Sequence, residues 1–231
     1  ATYYNSRDYN NGTSSDLNDG PAWPGEDEDD EIQWDLQTNS RLGATVKAEN
    51  ISGRFEFGIN ESDVTSRRIY GEWDFGAAKL KVGKDYTPVK QFISGQVFDG
   101  DAGLLGNGAA YADRNGQASL SFGGFEIAAI TNKGGNIRGL DTGDQDICFP
   151  KLEAGWGMSF DTWNFKLLGG FQWYEIEDGG ANTEDVDVTS WILGADAGVN
   201  FGPIYLKAGV SGGTNWANAG WSGGGDGACP G

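Results

Sequence analysis

Apolar and polar residues alternate with a period of two along most of the chain, in segments separated by turn sequences. Between Leu152 and Phe160 every second residue is apolar, whereas Lys151 and Glu153 occupy the other parity. Successive side chains of a β-strand point to opposite faces, so this period indicates strands with one apolar face. About eleven such segments can be counted, including the N-terminal ATYYNSRDY. The sequence therefore predicts an all-β, antiparallel protein with one domain over residues 1–231.

The connections between these segments alternate between short and long. Roughly two to four residues form the short turns, such as Gly123-Gly124 and Gly202-Pro203. The long connections are residues 10–31, 61–67, 88–117, 132–150 and 177–185 and the segment after residue 211. Outer-membrane β-barrels have this arrangement because their periplasmic turns are short and their external loops are long. We therefore expect an antiparallel transmembrane β-barrel in a bacterial outer membrane, with lipid against its outer face.

Phenylalanines are concentrated beside the short turns. The residues in these positions are Phe55, Phe75, Phe122, Phe125, Phe160, Phe165 and Phe201. Aromatic rings favour the lipid headgroup boundary, so these residues are predicted to form an aromatic girdle at one membrane interface. The alternative is a soluble β-sandwich, whose inward face also alternates. A sandwich gives no reason for a phenylalanine at each turn of one rim, and this observation favours the barrel.

The composition argues against several classes of function. The chain has no run of eighteen apolar residues, so it contains no candidate transmembrane helix. Its formal charge of -18 disfavours nucleic acid as a partner, and the absence of histidine excludes histidine-based chemistry. Glu72 and Asp74 are a carboxylate pair of the kind used in acid–base catalysis, but no nucleophile or metal-binding cluster accompanies them. We therefore expect neither enzymatic activity nor catalytic residues.

Two cysteines, Cys148 and Cys229, lie in Gly- and Asp-rich sequence without CxxC spacing. They are predicted to form a disulfide in an oxidising compartment, the alternative being two free thiols. The acidic residues 25–31 form one cluster of carboxylates, and a second consists of Asp141, Asp144 and Asp146. Such clusters suit hard cations, but the spacing of an EF-hand is missing. Calcium or magnesium at these loops is a hypothesis, and no other cofactor is expected.

If the apolar parity faces lipid, the opposite parity lines a water-filled interior. Its basic members are Arg41, Lys47, Arg54, Arg68, Lys79, Lys81, Lys166 and Lys207. Its acidic members are Glu56, Glu72, Asp74, Asp85, Glu126, Glu153 and Asp196. Opposite charges on such a wall create a transverse field and a hydrophilic path for solutes. Because the two signs are nearly balanced, the sequence predicts no ion preference.

Three stretches of the chain carry a resemblance to a known family: NSRLGATVKAENISGRFEFGI, RRIYGEWDFGAAKLKVGKDYTP and GLLGNGAAYADRNGQASLSFGGFEIAAI. They resemble the general porins of Gram-negative bacteria, and in particular porin-like proteins of sulfate- and metal-reducing bacteria. The similarity extends over about residues 34–216, and VGKDYTP is its most specific part. It implies an antiparallel barrel of about sixteen strands, assembled as a homotrimer, that passes small hydrophilic solutes by diffusion.

In such porins the third external loop folds into the barrel and narrows the pore. The resemblance places this loop on residues 88–116, where many glycines suit a chain that folds back in a confined space. Arg114 then lies where the chain returns to the wall. The predicted constriction consists of the loop residues Asp99, Asp101, Asp113 and Arg114 and the wall residues Arg41, Arg54, Arg68, Lys79 and Lys81.

The chain departs from this family in its length. About eleven strands is an odd number, whereas single-chain bacterial barrels have an even number. The chain also ends GGGDGACPG, which is loop-like, where porins end on a strand with a terminal aromatic residue. We expect a chain that is incomplete at one or both ends and needs about five further strands for closure.

These observations predict an outer-membrane porin that allows passive diffusion of small hydrophilic solutes and ions. A second interpretation is a non-conducting outer-membrane or surface scaffold barrel whose acidic loops bind cations or partner proteins. A third is a soluble β-sandwich that acts as a binding module. Outer-membrane lipid and small polar solutes are the expected partners, and nucleic acid is not.

Overall fold

The structure is a computed structural model that describes residues 2–6, 31–35, 40–59, 63–93, 105, 108–132, 145–177 and 184–222. Two strands towards the N-terminus, Thr2–Ser6 (β1) and Glu31–Asp35 (β2), pair antiparallel with each other in a separate two-stranded sheet. Within these described residues, no helix has the length and apolar character needed to cross a membrane.

The other strands form one antiparallel sheet of eleven strands. They are β3 (Arg41–Ala48), β4 (Ile51–Ile59), β5 (Val64–Asp74), β6 (Lys79–Tyr86), β7 (Arg114–Phe122), β8 (Phe125–Ile130), β9 (Gln145–Asp146), β10 (Lys151–Ser159), β11 (Trp163–Ile176), β12 (Val186–Phe201) and β13 (Ile204–Thr214). Strands adjacent in sequence are adjacent in the sheet, except that β8 pairs with β10 while the short β9 pairs with β11. The predicted all-β, antiparallel fold class is confirmed.

Short hairpin turns join β3 to β4, β5 to β6, β7 to β8, β10 to β11 and β12 to β13. The turn between β7 and β8 consists of Gly123 and Gly124, with φ angles of 53° and 83°. Positive φ at both positions defines a type I′ turn, and glycine adopts it without the steric cost that other residues incur. Because the sheet is an antiparallel meander, these turns share one rim and the other connections share the opposite rim.

The two faces of the sheet have the opposite of the side-chain exposure found in a soluble protein, because apolar side chains are exposed and polar side chains are buried. The apolar face exposes large hydrophobic side chains, among them Leu42, Phe55, Ile69, Val82, Ile127, Leu167, Leu193 and Leu206. The polar face buries charged and polar side chains, among them Glu56, Asp85, Gln117, Glu153, Gln172 and Asp196. Leu193 is 64% exposed, whereas Glu153 is 1% exposed. A soluble sandwich buries its apolar face between two sheets, so this inversion excludes the soluble β-sandwich interpretation.

An apolar cluster lies on the polar face, against β11 and β12. Its buried members are Val89, Ala110, Ala112, Leu168, Ile192, Ala219 and Trp221. Leu168 and Ile192 come from the wall, whereas the other members come from the connection after β6 and from the segment after β13. Two non-strand segments therefore pack together on the polar face.

The two end strands of the sheet each keep a free edge in the part of the chain that the structure describes. There, β3 pairs with β4 alone and β13 pairs with β12 alone. A free edge in lipid leaves backbone N–H and C=O groups without hydrogen-bond partners. Closure of the sheet therefore requires strand pairing beyond that of the described residues.

Three strand boundaries differ from those predicted. Strand β7 begins at Arg114 rather than Gln117, so the connection after β6 covers residues 87–113 instead of 88–116. Strand β5 begins at Val64, inside the predicted connection 61–67. Strand β13 ends at Thr214, inside the predicted connection after residue 211. Cross-strand pairing sets these ends, and alternation within one segment does not reveal it.

A lysine on the apolar face tests whether that face meets lipid. Leu193 lies at the middle of β12, so Leu193→Lys is expected to lower the free energy of unfolding in lipid vesicles by about 2–4 kcal/mol. Thr189→Lys, on the same face but nearer the rim, is expected to cost about 0–1 kcal/mol. Urea unfolding in vesicles measures both values, and equal costs at the two positions would contradict a lipid-facing sheet.

Candidate pore interior

Three arginine side chains converge on one carboxylate on the polar face. Glu56 of β4 is 2% exposed and accepts hydrogen bonds from Arg54 and Arg67, the latter at 3.1 Å between Nε and Oε1. A third guanidinium, that of Arg41 on β3, lies 3.7 Å from the same carboxylate. One negative charge thus faces three positive charges, so this part of the wall carries an excess of positive charge.

Arg67 reaches this cluster through a β-bulge in β5. Glu56 pairs with Arg68 but Phe57 pairs with Ser66, which leaves Arg67 as the extra residue between them. A bulge shifts the alternation by one residue, so both Arg67 and Arg68 point to the polar face. Arg67 was predicted to lie in the connection 61–67 and was not among the predicted interior residues. The RR dipeptide is a signal, because one of two consecutive arginines would otherwise face lipid.

A second cluster surrounds Asp85 at the end of β6. Asp85 is 2% exposed. One of its carboxylate oxygens accepts a hydrogen bond from Arg68 Nε at 2.6 Å, and the other lies 2.9 Å from Lys81 Nζ. The Arg68 guanidinium also lies over the rings of Tyr70 and Tyr86, 5.5 and 5.4 Å from their centroids. These contacts hold the cations in place on the wall, because aromatic faces attract positive charge.

Lys79 forms its ion pairs with carboxylates outside these two clusters. Its ammonium group is 3.8 Å from Glu72 and 3.6 Å from Asp74, next to the turn between β5 and β6. The side chain is half-exposed, and this turn belongs to the short-turn rim. Its predicted place in the constriction stays a prediction, although its ion pairs lie towards the rim opposite to residues 87–113.

The connection 87–113 packs against lysines of the polar face. Lys166 Nζ of β11 donates hydrogen bonds to the backbone carbonyls of Pro88 and Lys90, at 2.7 and 3.1 Å. Lys207 Nζ of β13 donates to the carbonyl of Phe92. Both lysines were predicted to line the interior. Their ammonium groups satisfy carbonyls that lie outside any regular strand, which fixes residues 88–92 of this connection on the wall.

Gln91 joins the two halves of this connection to each other and to the sheet. Its side-chain nitrogen donates to the carbonyls of Ala195 and Val210, both at 3.1 Å. Its side-chain oxygen accepts from the amide of Ala110 at 2.9 Å, and its own amide donates to the Ala110 carbonyl at 2.7 Å. Gln91 thus connects Ala110 with β12 and β13. The sequence analysis did not single it out.

Asp113 and Arg114, two of the predicted constriction residues, pair with each other at the end of the connection. Arg114 Nη2 lies 2.9 Å from Asp113 Oδ1, which also accepts from the Tyr111 hydroxyl at 3.1 Å. Burial raises the pKa of Asp113, but the charge and hydrogen bonds of its neighbours outweigh burial and hold that pKa below its usual value. Burial and the Asp113 charge raise the pKa of Tyr111. Asp99 and Asp101 lie outside the described residues.

Most of the predicted girdle phenylalanines are exposed beside the short turns. Phe55, Phe75, Phe122, Phe125, Phe160 and Phe201 are exposed, and Phe165 is half-buried. Tryptophans extend the row: Trp156 lies 5.5 Å from Phe125 and 5.1 Å from Phe165 between ring centroids. Trp163, at the start of β11, stacks on Phe160 with 4.2 Å between the ring centroids. That these rings meet the headgroup boundary stays a prediction.

The predicted disulfide and cation sites fall largely outside the described residues. Cys148 is exposed, and its thiol donates to Asp146 at 3.2 Å. That hydrogen bond and the Asp146 charge raise the pKa of the thiol. Cys229, residues 25–30, Asp141 and Asp144 are not described, so the disulfide and the calcium or magnesium hypothesis stay predictions. Among the residues that are described, no group of three or more His, Cys, Asp or Glu could hold a metal ion.

Comparison with known proteins supports the fold and leaves the family open. No protein-family model matches the chain, and no curated protein matches it in sequence. The outer membrane channel DcaP of Acinetobacter baumannii superposes with a TM-score of 0.61 and 13% identity, over 84% of this chain and 56% of the channel. The chain thus spans little more than half the length of that channel.

Two structures of the outer membrane protein OmpT of Vibrio cholerae also match, both at 16% identity. The loop L8 deletion mutant has a TM-score of 0.48 over 80% of this chain and 64% of its own. The form expressed in the outer membrane has a TM-score of 0.47 over 81% of this chain and 59% of its own. The likeness to DcaP carries the assignment: the fold is that of an outer-membrane β-barrel protein.

Neutralising Glu56 tests whether it holds the arginine cluster together. Glu56→Gln leaves three guanidinium groups without their shared carboxylate, so we expect it to lower the free energy of unfolding by about 1–3 kcal/mol. Arg67→Gln in the same chain relieves part of the repulsion, so the double variant is expected to cost less than the two single costs combined. Urea unfolding in detergent micelles measures all three, and strict additivity would show that the two side chains do not interact.

Proposed function

We propose that the protein is a porin-like channel of the bacterial outer membrane that allows passive diffusion of small hydrophilic solutes and ions. The observation that carries this proposal is the inverted sheet, apolar on one face and lined on the other with charged clusters. The outer-membrane fold supports the location, and the polar face supports a hydrophilic path rather than a lipid-filled interior.

The polar face suits a wet interior because its cations reach water. The side chains of Arg41 and Arg54 are 47% and 34% exposed, although both pair with the buried Glu56. Partly exposed charges of this kind lower the cost of bringing an ion into the pore. Residues 88–92, at the start of the connection after β6, narrow the same space, because they pack against the wall through Lys166 and Lys207.

The likeness to DcaP, an outer membrane channel, supports transport rather than catalysis. In the proposal the charged residues act on passing solutes through their field and form no covalent bond. The competing non-conducting scaffold barrel shares the fold and differs in conductance. The homotrimer and the role of Asp99 and Asp101 in the constriction also belong to the proposal.

Single-channel recording in planar lipid bilayers tests the proposal. We expect the purified, folded protein to give stepwise currents that rise linearly with voltage and with salt concentration. Far-UV circular dichroism with a β-sheet spectrum verifies that the protein is folded. Folded protein that inserts into the bilayer and gives no steps would favour the scaffold barrel.

Removing two of the clustered arginines is expected to shift the ion preference. Arg54→Gln combined with Arg67→Gln takes two positive charges from the polar face, so the reversal potential in a KCl gradient should move towards the potassium equilibrium potential. The matched control is Lys84→Gln, which removes a cation paired across the sheet with Ile69 on the apolar face. Identical reversal potentials in wild type and double variant would place the cluster away from the ion path.

A further inference from the structure

The segment after β13 turns back onto the polar face. The Trp221 amide donates to the carbonyl of Trp216 at 3.1 Å, and the Gly220 amide donates to that of Ala217 at 2.9 Å, which closes a compact turn. Trp221, at the end of the turn, is completely buried, although it follows a strand that is exposed along most of its length. Everything after residue 211 was predicted to be a long external connection, whereas β13 extends to Thr214 and residues 215–222 pack inward. The two tryptophans in NWANAGW are the sequence signal for this inward packing.

Trp221 is held by a buried ion pair of β10. Its indole nitrogen donates to Glu153 Oε1 at 2.8 Å, and the Lys151 ammonium lies over its ring at 5.4 Å from the centroid. Lys151 and Glu153 are themselves 3.6 Å apart and fully buried. The ring also lies against Gly170 of β11, where an added Cβ would be 2.5 Å from Trp221 Cζ2. The wall thus provides a polar anchor and a recess for this side chain.

The same ion pair holds the connection 87–113, so the two segments share one anchor. The second oxygen of Glu153 accepts from the amide of Val89 at 2.8 Å, and Lys151 donates to the carbonyl of Ala219 at 3.0 Å. The segments also contact each other directly, because the Tyr111 amide donates to the Trp221 carbonyl at 2.9 Å.

The opposite side of the turn is tied to β11 and β12. The side-chain amide of Asn218 donates to the Tyr174 hydroxyl at 2.7 Å, and that of Asn215 donates to the Thr189 carbonyl at 3.0 Å. Contacts on both sides mean that residues 215–222 are bound to the wall along their length. A segment held in this way keeps its bulk on the polar face.

We propose that residues 215–222 are a second constricting segment of the pore, and that Trp221 sets the size limit together with residues 87–93 and 108–113 of the connection after β6. This inference rests on the proposed channel function, because a size limit has meaning only for a conducting barrel. A buried indole with the connection packed on it fills space that a solute would otherwise cross. The pair Lys151 and Glu153 positions both segments, and therefore loosening one segment loosens the other.

Two substitutions test this inference by removing or displacing the indole. Trp221→Ala deletes it, and Gly170→Ala retains every other side chain but places a methyl group in the recess of the ring. Both variants are expected to conduct more than wild type in planar bilayers and to admit larger neutral sugars in a liposome swelling assay. Gly71→Ala is the matched control, because a Cβ there meets nothing within 4 Å. It should behave like wild type.

The outcomes separate this inference from the proposed function. Wild type that conducts, with Trp221→Ala conducting equally and admitting the same sugars, would overturn the inference and leave the channel intact. If circular dichroism shows that Trp221→Ala does not fold, Gly170→Ala decides, and equality with Gly71→Ala would overturn the inference. A silent wild type with a conducting Trp221→Ala variant would support the segment as a complete closure. Silence of all folded variants would overturn the channel itself.

Discussion

The whole structure depends on one constraint: a backbone that crosses lipid must satisfy its hydrogen bonds within the sheet, whereas its side chains divide between two solvents. The antiparallel meander from β3 to β13 meets the first requirement along its ladder. The period of two meets the second, because it directs Leu167 and Leu193 outward while Lys166 and Asp196 point inward. An apolar outer face and a charged interior follow from the same geometry.

Side chains of the interior also provide hydrogen-bond donors for backbone carbonyl groups that lie outside the strands. Chain that enters a barrel without forming strands carries carbonyl groups that no ladder satisfies. Three lysines of the wall supply the missing donors: Lys166 and Lys207 bind the connection 87–113, and Lys151 binds the segment after β13. Lys166 and Lys207, which were predicted as interior charges, therefore also hold the backbone of this connection in place. Arginines of β4 and β5 have a different role on the same polar face, because they neutralise the buried carboxylates Glu56 and Asp85 of the strands themselves.

Much of this arrangement could be predicted from the sequence because strand periodicity is local. Alternation identified the lipid-facing and interior parities, and the short and long connections identified the two rims. A bulge is set by pairing with the neighbouring strand, and for this reason alternation alone placed Arg67 in a connection. The inward packing of Trp221 depends on a recess at Gly170, which lies about fifty positions earlier in the chain. Contacts of that range leave no periodic trace.

The contacts of Gln91 have a consequence for the order of assembly. This residue binds carbonyls of Ala195 and Val210, which are synthesised more than a hundred residues later. The connection that contains it cannot reach its final position until β12 and β13 have joined the sheet, since no earlier strand offers those acceptors. Strands β12 and β13 must therefore join the sheet before residue 91 can bind to them inside the barrel. A sheet that still lacks β12 and β13 therefore encloses more open space at this point, and the space narrows once these two strands have joined it and residue 91 has bound them.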